Sequence, residues 1–176
     1  MQATYDIVMA GNPLLKQIAV PVTQDEFETE QLIQFTDVLL NRMMELEGVG
    51  LAAPQIGVSK RIIAIGVGEH NKRKRPLIIP NQIIINPVIH PLGDEIDDDY
   101  EACLSVGDLA AKVPRYRHIV CKGLDVHGKS AEIEISDLHA RIIQHEIDHL
   151  DGILFLERVV DKGSFTVYEE LKKLRK

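Results

Sequence analysis

The chain has 176 residues, 45% hydrophobic and 27% charged, which suits one domain with a sizeable core. Acidic residues outnumber basic ones, 27 to 20, and the formal net charge of −7 argues against DNA or other general nucleic-acid binding. No apolar run is long enough for a membrane-spanning helix, so no membrane role is expected and the cytoplasm is the expected location.

In chain order, the first strong periodicity covers 25–47, where Phe27, Leu32, Phe35, Leu39, Met43 and Leu46 recur at helical spacing. Gly48 is a natural stop for that helix. It opens the segment Gly48-Val49-Gly50-Leu51-Ala52-Ala53-Pro54-Gln55. Its glycines permit close backbone approach, Ala52 and Ala53 leave room for a neighbour, and Pro54 fixes the chain before the Gln55 amide. The segment reads as a turn after a helix or as part of a site, and it lacks the Gly-Lys-Ser/Thr ending of a phosphate loop. Strands are expected over 61–67 and 77–85, with the basic tetrad Lys72-Arg73-Lys74-Arg75 as a solvated loop between them. The acidic run 93–99 reads as a turn leading to Cys103, and further strands are expected over 119–126 and 131–135. Asp137 is placed to cap a helix that runs to about residue 150, and a last amphipathic helix covers 166–174. His70, His90, His118, His127 and His139 read as surface or strand residues. With no repeat or linker, residues 1–176 read as a single α+β domain: mostly antiparallel strands around a central helix, with a C-terminal helix.

That central helix carries Gln144-His145-Glu146-Ile147-Asp148-His149. Residues four apart share a helix side, so His145 and His149 can present two imidazoles to one ion, with Glu146 in reach of its bound water. A catalytic divalent metal usually needs a third protein ligand. Downstream there is no His, and Glu157 is only eight residues past His149, so a conventional endopeptidase lacks a ligand. Cys103 is the better candidate, since one Cys and two His form a catalytic ligand set. A disulfide to Cys121 is not expected without a secretory segment, and Cys121 reads as an inert thiol in a strand. Ligand softness alone would favour zinc.

Three segments, in this order, resemble the peptide deformylase family. Gly48 to Gln55 matches its G-x-G-L-A-A-P-Q motif, and Gln144 to His149 matches Q-H-E-x-D-H, continued by Leu150 and Gly152. Glu101-Ala102-Cys103-Leu104-Ser105 is similar to E-G-C-L-S, with alanine at the glycine. Asn12-Pro13-Leu14-Leu15 and Ala19-Val20-Pro21-Val22 resemble the family's opening, so the likeness runs over nearly the whole chain.

The resemblance implies removal of the formyl group from N-formylmethionyl peptides and nascent chains. It implies that Cys103, His145 and His149 hold one divalent metal, ferrous iron (Fe2+), with Zn2+, Ni2+ or Co2+ as substitutes. Glu146 would act on the metal's water, and Gln55 with the backbone N–H of Leu104 would face the formyl oxygen. The methionine side chain would enter an apolar pocket of Leu138, Ile142 and the edge of His145, opposite Gly48, Val49 and Gly50. Arg141 reads either as a residue at the pocket mouth or as a solvated helix residue. Such a substrate also raises transient ribosome contact for the basic tetrad. Two departures stand out: Ala102, and Gly107-Asp108-Leu109-Ala110-Ala111, which lacks the proline and arginine of the family's S-V-P-G-x-R-G. They leave the ligands and the base intact, but motivate an alternative in which the fold binds peptides without turnover.

Overall fold

The computed structural model describes residues 5–68, 71 and 77–174. Its first helix, α1 (Glu30–Glu45), is shorter than the periodicity suggests. Thr29 starts it by accepting a hydrogen bond from Leu32 N, and Glu28, at φ 61°, breaks the chain from a separate turn at Gln24–Glu26. Its end is a Schellman turn: Glu47 takes the left-handed conformation (φ 55°) and Gly48 N reaches back to Met43 O at 2.9 Å. The stop expected at Gly48 therefore falls one residue earlier, on a glutamate.

Two antiparallel sheets follow. The larger has the order β1 (Gly50–Ala52), β2 (Ile62–Val67), β3 (Ile79–Pro91), β6 (His118–Leu124) and β7 (Ser130–Ser136). The smaller joins β4 (Ile96–Ala102), β5 (Leu109–Tyr116) and β8 (Thr166–Val167). Strand β2 is buried throughout because helices cover both of its faces. Ile62 and Ala64 pack with Leu39 and Met43 of α1. Ile63, Ile65 and Val67 pack with Ile143, Ile147 and Leu150 of α2 (Asp137–Leu150). The central helix of the α+β domain is thus seated on the large sheet, and Ala19 N, bonded to Leu150 O at 2.8 Å, anchors its end.

Several expected boundaries move. The 77–85 strand continues to Pro91 through a bulge at Asn86, whose left-handed backbone (φ 50°) and side-chain bonds to Val22 N and O absorb the extra residue. The acidic run largely becomes strand β4, paired residue by residue with β5, and Arg141 bonds the Asp97 carboxylate at 3.0 Å. Asp137 does not cap α2: it is the helix's first residue, at φ 55°, and its carboxylate accepts from Arg117 Nε at 2.7 Å. The last helix, α3 (Tyr168–Leu174), starts only after Thr166 and Val167 have paired with Ala110 and Leu109. The basic tetrad and His70 lie outside the described residues. Among the described residues, no helix is long and apolar enough to cross a membrane.

Candidate metal centre

Strand β4 ends at Ala102 and delivers Cys103 into a turn closed by Val106 N on Cys103 O at 3.0 Å. Helix α2 brings His145 and His149 to the same place from consecutive turns. One ligand atom from each of Cys103, His145 and His149 lies within 4.8 Å of the others, and Cys103 Sγ is 3.2 Å from His149 Nε2. Behind them Phe155, fully buried, stacks on the His145 ring.

The histidines are prepared differently. Glu101 Oε2 lies 2.9 Å from His145 Nδ1, so a proton on Nδ1 turns the Nε2 lone pair towards the cluster. Burial opposes ionisation of Glu101, but hydrogen bonds from Arg115 and His145 outweigh it and hold the carboxyl well below its usual range. Burial holds His149 well below the ordinary imidazole range, so its ring is neutral and has a lone pair to offer. Burial likewise opposes charge on His145, yet the neighbouring Cys103 and Glu101 outweigh it and raise its pKa well above the ordinary imidazole value. A buried thiol, two imidazoles and a carboxylate-fixed tautomer fit a divalent metal with an open position.

Glu101 is the hub of a buried charge array. Arg115 donates to both of its oxygens at 2.9 Å, and Arg141 Nη1 donates to Oε1 at 2.9 Å. Arg115 continues to Asp148 on α2 at 2.6 Å, and Asp148 also accepts from Arg158 at 2.7 Å. Arg141 corrects its sequence reading, for it lies neither at a pocket mouth nor in solvent. Only 5% exposed, it also donates to the carbonyls of Asp97, Asp99 and Val113. Its position four residues before His145 was the available signal, since both then face Glu101. Gln144 adds a second tie, its amide bonding both N and O of Tyr116 on β5.

Glu146 is 4% exposed, and burial pushes its carboxyl up to about 7. A Cβ on Gly50 would lie 2.2 Å from Glu146 Oε1, while Oε2 has no hydrogen-bond partner. Gly50 therefore seats the carboxylate rather than only permitting a turn. Gln55 sits on the 3-10 turn Ala53–Ile56 that follows β1. Its Oε1 accepts from Ala52 N at 2.8 Å, and its Nε2 points at Ser105 Oγ (3.2 Å) and Cys103 Sγ (3.5 Å). Sequence reasoning assigned no role to Ser105, since nothing in its spacing shows that it meets Gln55.

Of the remaining candidates, Val49 and Leu138 are partly buried and pack against the cluster that includes buried Ile142. Leu104 packs on the apolar cluster that includes Leu39 and Met43 of α1, and a Cβ on Gly48 would lie 3.3 Å from both Met43 O and Gly50 O. Ala102 does not occupy the left-handed region, so alanine replaces glycine there without backbone strain. Gly107 has φ 80°, a value proline cannot adopt, so this loop follows its own path. Both cysteines are free, and burial raises the Cys121 thiol to about 11, as suits an inert core residue.

The comparisons agree along the chain. The sequence profile of the polypeptide deformylase family matches residues 4–164. Peptide deformylase 1 of Bordetella pertussis is 41% identical over 167 residues, covering 95% of this chain and 94% of that relative. The peptide deformylase of Carboxydothermus hydrogenoformans is 42% identical over 164 residues, 92% of this chain and 99% of its own. Among solved structures, the class I type b peptide deformylase of Acinetobacter baumannii with Met-Ala-Ser bound superposes with a TM-score of 0.82 at 35% identity, covering 90% and 100% of the two chains. The Thermotoga maritima peptide deformylase gives 0.79 at 32% identity, over 90% and 99%. With its thiol and two imidazoles converging in that shared fold, the chain belongs to the polypeptide deformylase family, hydrolases of N-terminal processing in protein synthesis.

Proposed function

We propose that this deformylase uses Cys103, His145 and His149 to hold one divalent metal and Glu146 to move the proton, removing formate from N-formylmethionyl peptides and nascent chains. The convergence of the three ligand atoms beside a buried, raised glutamate carries the reading. Ferrous iron is the metal we assign, with zinc, nickel or cobalt as substitutes, and the cytoplasm is the compartment in which nascent chains are met. When bound, the metal supplies a Lewis acid that polarises the formyl carbonyl and makes water acidic enough to attack near neutrality.

The chain's residues do the rest. Glu146, close to neutrality in its pKa, takes a proton from the attacking water and returns it to the departing amine. Water oxygen adds to the formyl carbon, the C–N bond breaks, and formate and the free amino terminus leave. As the formyl oxygen gains charge, the Gln55 amide and the backbone N–H of Leu104 donate to it. Gln55 is held ready for this, because its carbonyl is bonded to Ala52 N and cannot exchange places with the amide nitrogen. Leu138 and Ile142, with Gly48, Val49 and Gly50 opposite, receive the methionine side chain; Met-Ala-Ser on the Acinetobacter relative is the product such a substrate would give. The test is formate release from formyl-Met-Ala-Ser by ferrous protein under anaerobic conditions. Release by the parent and none by Glu146→Ala, at equal metal content, is expected; binding of the peptide by the parent without release would instead establish a peptide-binding module.

A further inference from the structure

The two segments that carry the proposed oxygen donors come from different sheets. Gln55 follows β1 of the large sheet, and Leu104 and Ser105 follow β4 of the small one. The amino-terminal stretch bridges them. Val8 N donates to Gln55 O at 2.8 Å, and Ala10 N donates to Ser105 O at 2.7 Å. Both acceptors belong to buried residues, Gln55 at 2% exposure and Ser105 at 0%. Met9, between the two donors, turns outward and is 49% exposed. The same two segments touch directly through Gln55 Nε2 and Ser105 Oγ, so they are tied from both sides.

We infer that residues 8–10 form a clasp that sets the spacing between the Gln55 amide and the Leu104 N–H, making Val8 and Ala10 positioning residues for the oxygen-stabilising site. The inference rests on the proposed roles of Gln55 and Leu104. A buried carbonyl deprived of its donor moves to find another, and donors aimed at a developing charge act only within a few tenths of an ångström. The clasp does not touch the metal ligands' own supports, which run through Glu101, Arg115 and Arg141.

Proline substitution removes one N–H at a time. Val8→Pro and Ala10→Pro, metal-loaded and assayed on formyl-Met-Ala-Ser, are expected to lower kcat about tenfold with KM and bound metal unchanged, while Met9→Pro keeps the parent rate. The decisive comparison repeats Val8→Pro in a Gln55→Leu background, where the clasp has no amide left to place and a further loss below about twofold is expected. Equal fractional losses in both backgrounds, or no loss in the single variants, would overturn the clasp. Gln55→Leu with the parent kcat would remove the reading beneath it, and the inference with it. Should the proline variants not fold, hydrogen exchange on Glu146→Ala reads the same link. Formyl-Met-Ala-Ser should slow exchange at Val8 and Ala10 and not at Met9; unchanged exchange at both contradicts the clasp.

Discussion

One oxygen of Glu146 occupies the space where residue 50 would carry a Cβ, and the other is buried without a hydrogen-bond partner. That geometry makes Gly50→Ala a test of carboxylate placement. We expect it to lower kcat about a hundredfold with metal retained, and the shorter acid in Gly50→Ala/Glu146→Asp to recover part of the loss relative to Glu146→Asp. A full rate in Gly50→Ala would show that Glu146 does not need this seat. The same burial has a cost to folding. In metal-free protein Glu146 keeps its proton up to about pH 7, whereas unfolded chain loses it near 4.5. Between those values the folded state binds more protons, so this group's contribution to stability falls as pH rises, by up to about 3 kcal/mol. Glu146→Gln should then be more stable than the parent above pH 7 and equal to it below about 4.5, as read by denaturant unfolding of the metal-free proteins. Gln55→Leu, which removes one of the two proposed oxygen donors, should lower kcat about a hundred- to a thousandfold while metal content stays at the parent level. At this scale the sequence was most readable where one helix supplied the geometry, as with His145, Glu146 and His149. Ser105 and the seat at Gly50 depend on contacts between distant segments, which no local spacing displays.

Among the elements, α2 and the β4–β5 hairpin act together because charges join them. Asp97, Arg141, Glu101, Arg115, Asp148 and Arg158 alternate in sign from the hairpin across the helix. Removing an interior member leaves its neighbours buried and unpaired. Arg141→Leu should destabilise the protein by about 3–5 kcal/mol, because Glu101 and three carbonyls lose a donor. It should also weaken metal binding about ten- to a hundredfold in chelator competition, since Glu101 then holds His145 less firmly. Parent-like melting and metal affinity would place the support elsewhere. This array also explains the misread strand. Consecutive aspartates disfavour β structure alone, and β4 forms through its pairing with β5, with Asp97 and Glu101 held by Arg141 and Arg115. Likewise, Asn86-Pro87 signals an end to β3, but the clamp on Val22 lets the strand continue.

For the molecule as a whole, α2 lies on a sheet whose strand β2 is apolar on both faces, so His145 and His149 stand on a deeply buried helix. Periodicity revealed both long helices and four strands of the large sheet, because each carries its pattern within one segment, whereas β1, read as a turn, is a strand only through its pairing with β2. The pairing of β8 with β5 and the division into two sheets were not legible, since long-range pairing decides them. The central claim is that turnover depends on one ion held by Cys103, His145 and His149. The most direct measurement strips the protein with chelator and follows formate release from formyl-Met-Ala-Ser as ferrous iron is returned under anaerobic conditions. Release should rise in proportion to bound iron and level off at about one ion per chain, with none from Cys103→Ala. Full release from the stripped protein, or from Cys103→Ala, would contradict it.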